Sequence, residues 1–222
     1  MSPNLLQRLV AEFLGTAFLL AIVVGSGIMA ERLSGGNIAI ALLANTIATG
    51  AGLVALILTF APVSSHFNPV VTLMSAVTRE MSWVEAPAII TAQIIGAFAG
   101  VMAAHAMFAV PLLQVSTKTR NGGAQMFAEF IATFGLLLVI SSVAKYRKES
   151  VAIAVGAYIT AAYWFTASTS FANPAVTLAR SVTESFAGIR PMDAPLFIGA
   201  QLLGLIAALV IVPWLFAEKV KA

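Results

Sequence analysis

Two nearly identical phrases, HFNPVVTL at 66–73 and FANPAVTL at 171–178, each stand in a long stretch without charge. Asparagine is a strong helix N-cap, and proline is favoured as the first helical residue because its missing N–H costs nothing there. Asn68–Pro69 and Asn173–Pro174 therefore read as the starts of two helices. Each helix start carries unpaired N–H donors and a partial positive charge. Two such ends facing each other would repel a cation or a hydronium ion, yet hydrogen-bond a neutral polar molecule. That chemistry is recognition and passage of an uncharged solute, with no bond made or broken.

Few other residues can do chemistry. Glu12 and Glu129 are the only acids deep in apolar stretches, and acids inside a membrane are functional candidates by default. Their matched positions in two similar halves favour a structural role over proton relay, with each carboxylate accepting hydrogen bonds from loop backbone. Gln93 and Gln201 read the same way. His66, beside the first box, reads as a brace for its loop, and His105 as an interfacial residue. With two histidines and no cysteine, a transition-metal site is not expected, and no cofactor is implied. Ser64-Ser65-His66 invites a hydrolase reading, but adjacent residues do not form a nucleophile–base pair, so no enzyme is expected. Arg180 has two readings: a positive charge for the lumen or, favoured, a mouth residue pairing with Glu184.

These residues need a membrane to sit in. Hydrophobic residues make up 60% of the 222-residue chain and charged ones 9%, against about a quarter charged in a soluble domain. Stretches 13–30, 33–78, 86–117, 150–179 and 194–217 hold no Asp, Glu, Lys or Arg, and a sixth, 126–144, holds only Glu129. At about 20 apolar residues per span, six spans fit. The first is longer than a cleaved leader's apolar core, so no such leader is expected. Segment 33–78 is interrupted by Pro62 and Pro69 and segment 150–179 by Pro174, each beside small polar residues. Each reads as a span, a loop that dips back in, and a short helix starting at membrane depth.

Further phrases repeat in the same order. AEFLGTAFLL at 11–20 returns as AEFIATFGLL at 128–137, and AQIIGAFAG at 92–100 as AQLLGLIAA at 200–208. Three spans per half force the second half to run upside down. The expected fold is an all-α membrane protein: six transmembrane helices plus two re-entrant half-helices in two inverted repeats. It forms one domain over 1–222, with repeats at about 5–110 and 122–217. Gly96 and Gly100 permit a close helix approach, either internal or between copies. With the termini inside, Arg8, Arg79, Lys145, Arg147, Lys148, Lys219 and Lys221 face inward and Arg32, Lys118, Arg120 and Arg190 outward. That imbalance favours cytoplasmic termini. The basic residues sit in short connections, so no nucleic-acid partner is expected.

The doubled Asn-Pro box, the repeated AEF and AQ phrases and the inverted plan resemble the aquaporin and glycerol-channel family over essentially the whole chain. The resemblance implies two pore boxes, Asn68-Pro69-Val70 and Asn173-Pro174-Ala175, with both asparagine amides facing the lumen. It also implies a ladder of acceptor carbonyls around Ser64, Ser65 and His66 and around Ser170, Phe171 and Ala172. A homotetramer in membrane lipid, one pore per subunit, follows from the same resemblance.

Two positions depart from the family pattern. Val70 replaces the alanine of the first box and should add bulk where the short helices touch. Val176 stands where the family places an arginine that narrows the filter. Counting back from each asparagine adds Ala48, Ala161 and Ser170 to Val176 as the filter that the resemblance implies, wide and without fixed charge. Tyr163, Trp164 or Phe165 could refill that space. A valine filter is similar to that of bacterial channels associated with arsenic resistance, which implies a bacterial inner membrane and neutral metalloid hydroxides such as arsenite as solutes. The alternatives are a general water or glycerol channel and, in a different class, an ion-coupled secondary transporter.

Overall fold

A computed structural model describes residues 3–217. Lys219 and Lys221, counted above among the inward basic residues, lie outside the described residues. The helices are α1 (Leu5–Leu33), α2 (Ile38–Phe60), α3 (Pro69–Val77), α4 (Ala86–Met107), α5 (Gly123–Tyr146), α6 (Val151–Phe165), α7 (Pro174–Ala179) and α8 (Ala194–Leu215). No strand forms among the described residues.

Asparagines start four of these helices. Asn4 and Gln7 form a capping box at α1, and the Asn37 side chain accepts from the N–H groups of Ala39 and Ile40 at α2. Asn68 and Asn173 cap α3 and α7, each with proline as the first helical residue. α1, α2, α4, α5 and α8 are long and apolar enough to cross a membrane. α6 has 15 residues, about 22 Å at 1.5 Å per residue, less than the five others. A 3-10 turn at Lys148–Ser150 leads into it, and the chain leaves it at Thr166 to dip inward.

The packing repeats with the sequence. α1 lies against α4 and α2, α5 against α8 and α6, and α2 meets α6 between the halves. The small residues of the repeated phrases make the tight approach possible. A Cβ at Gly96 would lie 2.3 Å from the Phe13 carbonyl oxygen, and one at Gly100 2.1 Å from that of Ala17. In the other half, a Cβ at Gly204 would meet the Phe130 carbonyl at 2.9 Å. The Gly96/Gly100 pair therefore serves the α1–α4 seam within one chain.

The connections define two faces. At the face bearing the described chain ends, Arg8 pairs with Glu85, and Lys145 Nζ donates to the Phe216 carbonyl at 2.8 Å. At the far face, Arg32 Nη2 donates to the Phe108 carbonyl at 3.1 Å and Phe186 N to Glu31 at 3.2 Å. The 108–122 connection crosses that far face. It is held by Gln114 N donating to Val182 O at 3.2 Å and Ser116 N to Ser181 O at 3.0 Å.

Candidate functional site

The two asparagines are clamped across the molecular centre. Asn68 Nδ2 donates to the Ala172 carbonyl at 2.8 Å, and Asn173 Nδ2 donates to the Phe67 carbonyl at 2.7 Å. Each Oδ1 meanwhile caps its own helix, Asn68 at Val70 N (3.1 Å) and Asn173 at Ala175 N (3.0 Å) and Val176 N (3.3 Å). An amide NH2 has two hydrogens, so one donor on each asparagine remains for a solute in the cavity that both residues border.

The residue before each asparagine is held in an uncommon backbone state. Phe67 has φ of 49° and Ala172 of 48°, a left-handed conformation costing about 1 kcal/mol or more for a residue with a Cβ. The buried acids hold it there. Glu12 accepts from Ser64 Oγ (2.5 Å), His66 N (2.7 Å), Phe67 N (2.7 Å) and Gln93 Nε2 (2.8 Å). Glu129 accepts from Phe171 N (2.8 Å), Ala172 N (2.8 Å) and Gln201 Nε2 (2.7 Å). Gln93 and Gln201 also donate to Thr72 and Thr177, at 2.9 Å in both halves, which ties each loop to its own half-helix. His66 Nδ1 shares a hydrogen bond with Thr72 Oγ1 at 3.1 Å. Phe67 fits because α1 carries a glycine opposite it: a Cβ at Gly15 would lie 1.9 Å from the ring. The matching pair in the second half is Ala132 and Ala172, so the bulk is distributed differently.

A cavity of about 440 Å³ runs past the boxes. The long helices line it with Leu19, Val23, Leu53, Leu136, Val155 and Ile159. The re-entrant loops and the two asparagine caps add Ser65, His66, Asn68, Ser170 and Asn173. Ser64 and Ala172 are not on the wall: the Ser64 hydroxyl goes to Glu12 and the Ala172 carbonyl is taken by Asn68.

The filter positions divide. Ser170 and Val176 border the cavity, 3% and 5% exposed respectively. Ala48 and Ala161 do not. The buried face of α6 is Ala152, Val155, Gly156, Ile159, Ala162 and Tyr163, a spacing of three and four that turns Ala161 outward. Trp164 and Phe165 share that outward face and are about half exposed, so neither ring refills the filter. On α2 the inward residues Asn45, Thr49, Leu53 and Ile57 recur every fourth position, leaving Ala48 at the flank. Thr49 and Tyr163, one and two residues further along the same helices, border the cavity, with the Tyr163 hydroxyl donating to Thr49 Oγ1 at 3.3 Å. The helical period within each span was the signal that could have found them.

Other residues also differ from expectation. Val70 packs with Met74, Leu137, Leu205 and Ala208, against the long helices of the second half. His105 is fully buried; its Nδ1 donates to the Leu112 carbonyl and its Nε2 bonds with Thr183 Oγ1, both at 2.8 Å. Glu184 pairs with the 108–122 connection instead of Arg180, accepting from Thr117 N at 2.5 Å and Thr117 Oγ1 at 2.7 Å. Those two bonds hold its carboxyl below the usual range. Nearby, Lys118 donates to the Phe186 carbonyl at 2.8 Å. Burial, then the neighbouring charges of Arg120 and Arg180, lowers its ammonium to about 8.

Comparison with known proteins agrees with this architecture. The major intrinsic protein family model matches residues 1–151 and 141–222. An aquaglyceroporin, AqpS, of Rhizobium meliloti (strain 1021) is 52% identical over 213 residues, covering 96% of this chain and 91% of that protein. Aquaporin NIP3-1 of Oryza sativa subsp. japonica is 32% identical over 165 residues, covering 71% of this chain and 52% of the relative. The X-ray structure of the aquaglyceroporin from Plasmodium falciparum superposes with a TM-score of 0.69 at 19% identity, over 98% of both chains. That last likeness fixes the fold: six crossing helices and two half-helices in two inverted repeats. The chain belongs to the major intrinsic protein family, and it is a multi-pass membrane channel for small solutes, not an enzyme.

Proposed function

We propose that the chain conducts small uncharged hydroxylated molecules down their gradient, neutral metalloid hydroxides such as arsenite foremost, and glycerol as the close competitor. The observation that carries this reading is the division of polarity in the cavity lining: apolar side chains from the long helices, and the two asparagine amides and Ser170 from the re-entrant segments. A compact hydroxylated solute can replace its water shell on the polar groups while its bulk rests on the apolar side chains. Val176, in place of an arginine, leaves room beside those groups. Both buried carboxylates are committed to loop N–H groups, which supports passive flow over ion coupling. The pore residues of this reading are Asn68, Asn173, Ser170 and Val176, with Thr49 and Tyr163 added.

The same reading takes 1–222 as one domain in a bacterial inner membrane, with cytoplasmic termini and four copies per assembly. Stopped-flow light scattering of proteoliposomes tests it, using inward gradients of arsenite, glycerol or an impermeant sugar. Re-swelling in arsenite faster than in glycerol is expected. Rapid water efflux with no re-swelling in either solute would make this a water channel and overturn the proposal.

A further inference from the structure

Position 176 supplies no charge to the cavity, but the next turn of the chain does. Arg180 borders the cavity and is 2% exposed. Its Nε donates to the Ala187 carbonyl, and its guanidinium carbon lies 3.4 Å from the centre of the Phe171 ring. Neither Nη group has a hydrogen-bond partner among the described residues, and neither is sealed off from the cavity. No ion pair neutralises the group among those residues, since Glu184 is occupied by Thr117. A planar fork fixed by one backbone bond and one ring keeps its remaining donors aimed. In a narrow, largely apolar passage its field is weakly screened.

Phe171 is itself fixed from several sides. The Phe197 ring meets it edge-on at 5.2 Å, and Arg120 stands 5.0 Å from its centre. Arg120 is in turn spent on carbonyls, donating from Nε to Gly188 at 2.8 Å and from Nη1 to Ser168 at 3.0 Å. The two arginines therefore differ in kind. Arg120 is satisfied by backbone, and Arg180 keeps both Nη groups, four N–H donors in all, unspent.

We propose that Arg180 is the filter cation of this channel, delivered from one turn beyond the position where the family resemblance would place it. With Tyr163, Phe171 and Val176 it forms the constriction at the far end of the cavity. It repels hydronium and metal cations there and offers its Nη groups to the hydroxyl oxygens of a passing solute. The inference rests on the passive-channel reading above, and the competing role for Arg180 is a brace for the 183–189 loop alone.

The test compares wild type, Arg180→Gln, Arg180→Lys and the double variant Val176→Arg/Arg180→Gln in proteoliposomes. Water efflux, glycerol re-swelling and proton leak to an enclosed pH dye are read on each. Arg180→Gln is expected to raise proton leak per unit water flux by about tenfold or more, because the fixed positive charge is gone. Arg180→Lys keeps the charge and should hold the leak near the wild-type value. The double variant moves the charge by one turn and should suppress the leak again.

Unchanged leak in an Arg180→Gln variant that conducts water normally would overturn the inference. So would a Lys variant losing every flux in the same proportion as Gln, which marks a brace. Should the Gln variant not fold, the wild type still decides: a proton leak above that of protein-free liposomes would rule out a cation barrier. A wild type without water or solute flux would take down the channel reading and this inference with it. A conducting wild type with an unaltered Gln variant takes down only the inference.

Discussion

Val176 contributes only carbon to the cavity wall where a guanidinium could stand. Val176→Arg would add a second cation within a turn of Arg180, with its charge unpaired and its bulk in the passage. Arsenite re-swelling is expected to fall by about tenfold while water flux falls much less, because a narrowed passage penalises the larger solute first. Arsenite flux equal to wild type would remove position 176 from the filter. Lys118 gives a prediction in pH. Burial lowers its folded-state value to about 8 from 10.5, so between those values the unfolded chain holds the extra proton. Stability from this group therefore rises with pH through that window and is lowest below it. The apparent melting temperature of wild type should gain on that of Lys118→Met from about pH 8 to 10.5. Parallel curves would show that the lysine titrates as if exposed.

The elements explain which parts of the site could be read from the sequence. The boxes, Glu12 and Glu129, and Gln93 and Gln201 come in pairs; each glutamine bonds the acid and the threonine of its own half, and each asparagine donates to the carbonyl before the other box. Duplication made them legible. The filter face was not, because a count along the chain ignores which side of a helix a residue occupies. Ala161 sits two residues from Tyr163, and the turn between them points it out of the bundle. For Arg180 the sequence offered both a lumen charge and a pair with Glu184 and favoured the pair, because nothing in it shows Thr117 taking Glu184 from another connection.

Two changes test the scaffold. Glu129→Gln replaces a charged acceptor of three hydrogen bonds with a group offering one oxygen. Hydrogen bonds to charged groups contribute about 1.5–3 kcal/mol each, so a loss of about 3 kcal/mol is expected. The apparent melting temperature in detergent should drop and all fluxes fall together. A stable variant with intact water flux would mean the loop N–H groups hold their conformation without the carboxylate. Gly96→Val drives a side chain into the Phe13 carbonyl, 2.3 Å from the Cβ position. Overpacking of this kind costs about 1–3 kcal/mol. The same change at Gly199, which has nothing within 4 Å of its Cβ position, should be far milder. Equal melting temperatures for the two variants would contradict the α1–α4 seam.

On the scale of the whole molecule, inversion brings two short helices together by their N-termini and leaves their far ends on opposite faces. The asparagine cross-clamp then joins the halves at the centre, with Asn68 held by loop 166–173 and Asn173 by loop 61–68. Each half is thus completed by the other, and the cavity lies where they meet. Its lining offers two spare amide donors, hydroxyl and imidazole groups, the Arg180 guanidinium and apolar side chains. Such a passage needs no moving charge to work. The most direct measurement is the initial rate of arsenite uptake into proteoliposomes at a fixed arsenite gradient, with proton and sodium gradients present or collapsed. The same rate under both conditions, well above that of protein-free liposomes, is predicted. A rate that collapses with either ion gradient would make the protein an ion-coupled transporter and contradict passive conduction.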